Sequence, residues 1–166
     1  RLYIDNNVME ITEIIVEDSE IPSAFEDTKI LQISDLHNKS YGKNNNVLQQ
    51  KIDEINPDYI FLTGDMVSSR DTDFTIFYDF AYELGKKYEC YYVFGNHELD
   101  LKNEVRKEIT EKLEEYHINV LNNAEVTLKK NGEEIYLYGM WYNPRYYIHE
   151  EFQKEDMIRI IGEVKE

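Results

Sequence analysis

Three short clusters in the sequence contain the side chains that most often bind metal ions. They are Asp35-Leu36-His37, Gly64-Asp65 and Gly95-Asn96-His97-Glu98. A carboxylate beside an imidazole suits Mn, Fe or Zn better than Ca or Mg. A shared carboxylate can hold two cations about 3.5–4 Å apart, and such a pair clamps a phosphate and activates water. If the clusters meet in space, they predict a two-metal centre for attack on phosphorus, with His97 beside the metals as a proton donor.

Each of these residues also has an ordinary structural interpretation when it is taken alone. Asp35 could cap a helix or serve a turn, and Asp65 after a glycine is a common turn pair. Asn96 could occupy a left-handed turn position, and His97 could be a loop histidine with satisfied hydrogen bonds. The metal-site interpretation is favoured because these separate explanations would have to coincide at three consecutive strand ends.

The clusters follow three short apolar runs, which indicates how the fold brings them together. The runs are 30–34, 59–63 and 90–94, and the clusters recur about every 30 residues, the length of one strand–helix–strand unit. Apolar residues at helical spacing fill the gaps, over 47–55 and 74–84. This alternation predicts an α/β fold with a parallel sheet and right-handed crossovers. Ligands of such sheets bind at the carboxyl ends of the strands, where the clusters lie.

The rest of the chain contains further helix and strand patterns. Loose alternation over 8–17 predicts a β-strand with one covered face. Gly85 is expected to cap the second helix at its C-terminus. The polar loop 38–46 is a candidate substrate loop. Further elements are a helix over about 101–116, a strand at 118–121, a hairpin around Lys130-Asn131-Gly132 and a final helix over about 149–161.

Composition excludes several classes of function. The 166 residues carry a net charge of −16, which argues against a broad nucleic-acid surface but not against a small phosphorylated substrate at a bound cation. The chain has a single cysteine, Cys90, which excludes an internal disulfide framework. Its position in an apolar run predicts a thiol buried in the core. No apolar run is long enough to span a bilayer. The chain begins at Arg1, so a membrane or targeting segment could precede it, and cytoplasmic and membrane-associated locations both stay open.

Two more histidines and several aromatic residues are weaker candidates. His117 is expected to act as a cation at a helix C-terminus, and His149 lacks the strand-end setting of a metal ligand. The aromatic residues could line a substrate groove, although packing is the more common role of such side chains. They are Tyr41, Trp141, Tyr142, Tyr146 and Tyr147.

Taken together, the three motifs resemble those of the calcineurin-like metallophosphoesterases, over about residues 28–140. The sequence around Asp35 and Asp65 is similar to the bacterial branch of membrane-associated phosphohydrolases and phosphodiesterases. The resemblance implies a β-sandwich flanked by helices (αββα). It also implies that Asp35 and His37 bind the first metal, Asp65 bridges, Asn96 binds the second metal and His97 is the catalytic acid or transition-state stabiliser.

The sequence departs from this family after His97. The later Gly-His and Gly-His-x-His metal motifs are absent, so 1–166 reads as a single domain that ends before the second half of the sandwich. Four ligands cannot fill two coordination spheres of about six positions each, which predicts partial occupancy and weak or absent activity for this chain. An uncovered sheet face and edge would favour self-association.

Two functional classes follow from these observations. The first is a metal-dependent phosphoester hydrolase (phosphodiesterase, pyrophosphatase or phosphatase) that uses two divalent ions, Mn, Fe or Zn, on a small phosphorylated substrate. The second is a non-catalytic domain of the same fold that binds a partner.

Overall fold

A computed structural model of the protein describes residues 9–141 and residue 158. Strands and helices alternate along this part of the chain, as the apolar runs predict. The elements are β1 (Ile30–Ile33), α1 (Asn46–Ile55), β2 (Tyr59–Leu62), α2 (Thr75–Gly85), β3 (Glu89–Tyr92), α3 (Asn96–Leu99), α4 (Asn103–Glu115), β4 (Ile118–Val120), β5 (Ala124–Lys130) and β6 (Glu133–Gly139). Short 3₁₀ turns precede β1 and α1.

The first four strands form one parallel sheet in the order β1-β2-β3-β4. Ile33, Leu62 and Tyr92 lie opposite one another in the register, so the strands end along one line. Hydrogen bonds continue the ladder beyond this line, from Thr63 N–H to the Ile33 carbonyl and from Val93 N–H to the Leu62 carbonyl, both at 3.0 Å. The predicted parallel α/β architecture is therefore confirmed. At the carboxyl edge of the sheet, backbone hydrogen bonds between neighbouring segments continue one residue beyond β2 and β3.

Alternate residues of β2 and β3 pack into two different cores, because successive side chains of a strand point to opposite faces. Ile60, Leu62, Cys90 and Tyr92 belong to the cluster that includes the helices. On the other face, Tyr59 and Tyr91 pack with Phe25 and with residues of the β5–β6 hairpin. Cys90 is fully buried, as predicted, and burial raises the pKa of its thiol to about 12.

The predicted hairpin forms with its turn at Asn131-Gly132. Both residues have positive φ, of 52° and 87°, as a two-residue Asn-Gly turn requires. The hairpin pairs Lys130 with Glu133 and extends to Ala124 and Gly139.

The predicted strand over 8–17 is wrong for the part that the structure describes. Residues 9–17 are in neither strand nor helix, and Ile14, Ile15 and Val16 are more than 70% exposed. Alternation shows that a segment suits extended structure, but a strand also needs a pairing partner, which the sequence pattern does not supply.

The role predicted for Gly85 is also wrong. Gly85 is the last residue of helix α2 and is not in the left-handed conformation of a glycine cap, and the C-cap residue is Lys86. Glycine is needed at this position because a Cβ on residue 85 would collide with the Tyr116 carbonyl oxygen, which follows α4.

Two regions of the sequence predictions lie partly or wholly outside the described residues. The final helix over about 149–161 does so apart from Ile158, which is helical. Tyr142, Tyr146, Tyr147 and His149 also lie there. Among the helices in the described part of the chain, none has the length and apolar character needed to cross a bilayer.

Candidate metal centre

The carboxyl ends of β1, β2 and β3 bring the predicted site residues together. His37, Asp65 and His97 each offer a ligand atom, and these three atoms lie within 4.8 Å of one another. Asp35 Oδ1 lies 3.8 Å from His37 Nε2, and the Asp35 side chain is the more exposed of the two. With its amide turned to donate, Asn96 reaches Asp65 Oδ2 at 3.1 Å. All five side chains named from the sequence therefore meet in one cluster.

The loop after β1 adopts an unusual backbone conformation. Asp35, His37 and Asn38 have φ of 57°, 48° and 56°, in the left-handed region that few side chains adopt. Such conformations cost energy and persist where the surroundings hold them in place. Here the loop leaves Leu36 buried and brings Asp35 Oδ1 to 3.8 Å from His37 Nε2.

The segment Gly64–Val67 lies at the middle of the site and is bound on both sides. Its carbonyl groups accept hydrogen bonds from the loop after β1: Asp35 N–H to Gly64 (3.2 Å), His37 N–H to Asp65 (2.9 Å) and Asn38 N–H to Met66 (2.7 Å). Its N–H groups point the other way, toward Glu98. Asp65 is therefore held between the first and third clusters.

Glu98 is the residue that sequence reasoning missed. Its carboxylate is fully buried and accepts four backbone hydrogen bonds. Oε2 accepts from Asp65 N–H and Gly95 N–H, both at 2.9 Å, and Oε1 accepts from Met66 N–H at 2.7 Å and Val67 N–H at 3.2 Å. A carboxylate so bonded can be buried because its oxygens are fully satisfied.

The sequence signal that could have found Glu98 is its spacing from Gly95. Helix α3 begins after Gly95, and Glu98 is its third residue, the position whose carboxylate bonds back to the N-cap backbone. This short helix was not predicted. Asn96 and His97 are its first two residues, so their side chains leave the helix in different directions.

Gly64 and Gly95 allow the two loops to approach each other closely. Gly64 has φ of 91°, and a Cβ on it would collide with the Gly95 backbone. A Cβ on Gly95 would in turn collide with the Asp65 carboxylate. The glycines therefore bring the Asp65 loop against the start of α3.

His97 is fixed by its backbone and by its ring. Its N–H donates to Asp65 Oδ1 at 2.9 Å, and its Nδ1 accepts from the Ser69 N–H at 3.2 Å. The ring meets His37 edge-on, with centroids 4.7 Å apart. His97 is half-buried, so one side of the ring stays accessible.

The weaker candidates lie elsewhere. His117 follows α4 with φ of 62°, and its backbone N–H donates to the Glu114 carbonyl, so its main chain caps the helix end. Tyr41 and Trp141 pack against the main core, Trp141 with its ring 6.4 Å from that of Phe94. The loop 38–46 carries Asn45, a buried side chain that accepts a hydrogen bond from Tyr41 N–H at 2.8 Å.

Comparison with known proteins identifies two relatives that are named as metallophosphoesterases. A metallophosphoesterase of Campylobacter jejuni, named as uncharacterized, is 31% identical over 98 residues, which are 56% of this chain and 25% of that protein. A second, from Bacillus subtilis, is 35% identical over 72 residues, 42% of this chain and 25% of that protein. The chain thus spans about a quarter of the length of these curated relatives.

One solved structure of similar shape is the phosphopantetheinyl hydrolase of Mycobacterium tuberculosis. It has a TM-score of 0.48 at 20% identity, over 69% of this chain and 42% of that chain.

The model of the calcineurin-like phosphoesterase family matches residues 28–161, a range that includes all three clusters. The resemblance seen in the motifs is thereby confirmed, while the membrane-associated branch stays a prediction. On this match over most of its length, the chain belongs to the calcineurin-like phosphoesterase family.

Proposed function

We propose that this chain provides the first part of a two-metal phosphoester hydrolase site. The observation that carries the proposal is the convergence of His37, Asp65 and His97 within 4.8 Å at the ends of three neighbouring parallel strands. Family membership supports the same class of reaction. The substrate class we propose is a small phosphodiester, pyrophosphate or phosphomonoester.

The donor set fits divalent cations of the Mn, Fe or Zn type. Asp35 and His37 would hold the first ion, and Asp65 would bridge. Asn96 would bind the second ion through its amide oxygen once its amide turns from the orientation in which the nitrogen donates to Asp65. When bound, two such ions neutralise phosphate charge and make water a better nucleophile at neutral pH. The Asp65 carboxylate is suited to a bridging role because its backbone is held from both sides, by Glu98 and by the loop after β1.

His97 would act on the phosphate without binding a metal. Its ring is half-buried, and its Nδ1 already accepts the Ser69 N–H. The other ring nitrogen can donate to a phosphoryl oxygen or to the leaving oxygen. The side chain would thus stabilise charge that develops in the transition state.

The four proposed ligands leave much of each coordination sphere to water or to other groups. We therefore expect weak binding and low turnover for this 166-residue chain, and full activity only with further ligands. The net charge of −16 is consistent with this class, because cations reverse the local field where an anionic substrate binds.

The test is Mn²⁺ binding by calorimetry together with hydrolysis of bis(p-nitrophenyl) phosphate. Asp65→Asn is expected to reduce both by at least about tenfold, because it removes the charge of the bridging ligand. Asp79→Asn, which changes an exposed carboxylate on α2, is the control and should behave as wild type. Wild type that binds no Mn²⁺, or Asp65→Asn that binds Mn²⁺ as tightly as wild type, would contradict the two-metal proposal and favour the partner-binding alternative.

A further inference from the structure

The turn that follows Asp65 places a backbone donor against His97. Asp71 N–H donates to the Ser68 carbonyl at 3.0 Å, which closes a β-turn with Ser69 at its second position. The Asp71 carboxylate accepts from Ser68 N–H at 2.8 Å and thereby holds the turn from within. Ser69 N–H is left pointing at the imidazole.

This hydrogen bond determines which ring nitrogen carries the proton. Ser69 N–H donates to His97 Nδ1 at 3.2 Å. A neutral imidazole has one N–H donor and one acceptor nitrogen, and the bond made by one nitrogen determines the state of the other. Since a backbone N–H can only donate, Nδ1 must be the unprotonated nitrogen.

We infer that the Ser69 amide is a positioning group that holds His97 in the Nε2–H tautomer. The bond from the His97 backbone N–H to Asp65 Oδ1 fixes the main chain at His97, and the ring itself packs edge-on against His37. Within residues 9–141, no carboxylate forms an ion pair with the His97 ring. A carboxylate at Nδ1 would favour the opposite tautomer, so the identity of the partner decides which nitrogen donates.

The tautomer has a consequence for catalysis that depends on the proposed function. An Nε2–H tautomer presents a proton to a phosphoryl or leaving oxygen without prior rearrangement. It also keeps Nδ1 from serving as a metal ligand, which separates His97 from His37 although the two rings are in contact. The Ser69 amide thereby distinguishes a donor histidine from a ligand histidine at neighbouring strand ends.

The experiment is ¹⁵N NMR on the metal-free chain at about pH 8. We expect a through-hydrogen-bond correlation between the Ser69 amide nitrogen and His97 Nδ1, with the ring proton on Nε2. A proton on Nδ1, or no correlation at that nitrogen, would overturn the inference. This readout requires neither metal nor activity.

Two substitutions of Ser69 separate its amide from its side chain. Ser69→Pro removes the N–H at the turn position where proline is favoured, and Ser69 lies outside the left-handed region, so the turn can be kept. Ser69→Ala retains the N–H and is the matched control. We expect Ser69→Pro to lose the correlation and to show a mixture of tautomers, whereas Ser69→Ala matches wild type; an unchanged tautomer in folded Ser69→Pro would contradict the inference.

Hydrolysis assays on the same variants distinguish this inference from the proposed function. With Mn²⁺ and bis(p-nitrophenyl) phosphate, Ser69→Pro should lower kcat by about tenfold relative to Ser69→Ala, with KM little changed. If wild type shows the NMR correlation but binds no Mn²⁺, the proposed function fails and the tautomer assignment stands. If wild type hydrolyses the substrate but carries its ring proton on Nδ1, the proposed function stands and the tautomer assignment fails. Should Ser69→Pro not fold, the wild-type correlation decides the inference.

Discussion

The two sides of the Gly64–Val67 segment are held by different means. On one side a single buried side chain, Glu98, accepts the N–H groups of Asp65, Met66 and Val67. On the other side three backbone N–H groups of the loop after β1 donate to its carbonyls. The first side depends on one residue and can be removed by one substitution, whereas the second consists of hydrogen bonds between backbone groups and depends on no particular side chain.

This difference predicts that Glu98 stabilises the fold, whereas the side chains of Asp35 and His37 contribute to metal binding and not to stability. Glu98 is fully buried, whereas the Asp35 side chain is 67% exposed and that of His37 is 39% exposed. Exposed groups contribute little to stability. Substitutions on the two sides should therefore separate folding from metal binding.

The largest effect is expected for Glu98→Ala. It leaves four backbone N–H groups without their acceptor, and each buried unsatisfied group costs about 1–3 kcal/mol. We expect a loss of at least about 3 kcal/mol in the free energy of unfolding, measured by urea denaturation. Glu111→Ala changes an exposed glutamate of α4 and should stay within about 0.5 kcal/mol of wild type. A Glu98→Ala variant as stable as that control would show that the N–H groups find other acceptors.

A smaller loss is expected for Gly64→Ala, which tests the close approach of the two loops. The substitution combines a φ of 91° with a collision between the new Cβ and the Gly95 backbone. Gly132→Ala is a matched control, because its φ is 87° but nothing lies within 4 Å of the new Cβ.

Both glycine variants carry the left-handed strain of about 1–2 kcal/mol, and only Gly64→Ala carries the collision. We expect Gly64→Ala to be less stable than Gly132→Ala by about 2 kcal/mol, a typical cost of overpacking, by urea denaturation. Equal losses would mean that the loops can separate without cost.

The parts of this arrangement that the sequence predicts are those that depend on local pattern. Apolar runs and cluster spacing predict the parallel strands, and strand-end position predicts that Asp35, Asp65 and His97 meet. The spacing from Gly95 could have predicted that Glu98 caps α3. Its bonds to the N–H groups of Asp65 and Met66, 33 and 32 residues away, depend on a distant segment that no local pattern reveals. The same reason explains the wrong strand over 8–17 and the wrong cap at Gly85, since each depends on a contact with a distant segment.

The pH dependence of stability above pH 10 should report on Tyr92, which lies near Glu98 on one side of the Gly64–Val67 segment. Burial raises the pKa of the Tyr92 hydroxyl well above its ordinary value of 10, and the nearby negative charge of Glu98 acts in the same direction. The unfolded chain therefore loses this proton at lower pH than the folded chain. Stability from this group is fully present below about pH 10 and is lost as pH rises from there toward the folded-state pKa.

We expect Tyr92→Phe not to lower the free energy of unfolding at pH 7, because the buried Tyr92 hydroxyl has no hydrogen-bond partner in the described part of the chain to lose. Above pH 10 its stability should fall less steeply than that of wild type, as measured by urea denaturation at a series of pH values. Tyr82→Phe, at an exposed tyrosine of α2, is the control. Parallel curves for Tyr92→Phe and wild type would contradict a raised pKa at this site.

The smallest effect on stability is expected for His37→Gly, on the other side of the segment. The variant keeps the His37 backbone N–H that donates to the Asp65 carbonyl and removes only the exposed imidazole. Glycine also adopts the φ of 48° without strain, which offsets the extra entropy of the unfolded chain. The free energy of unfolding should therefore change by no more than about 0.5 kcal/mol.

Although its stability should change little, His37→Gly should bind metal clearly more weakly than wild type, because the proposed site of the first ion loses its imidazole. We expect His37→Gly to weaken Mn²⁺ binding by at least about tenfold in calorimetry. His117→Gly is a matched control, since His117 is also exposed and also has positive φ, of 62°, but lies at the end of α4. If His37→Gly destabilised the fold as Glu98→Ala does, the loop after β1 would be held by its side chains as well as its backbone, and the distinction between the two sides of Gly64–Val67 would be lost.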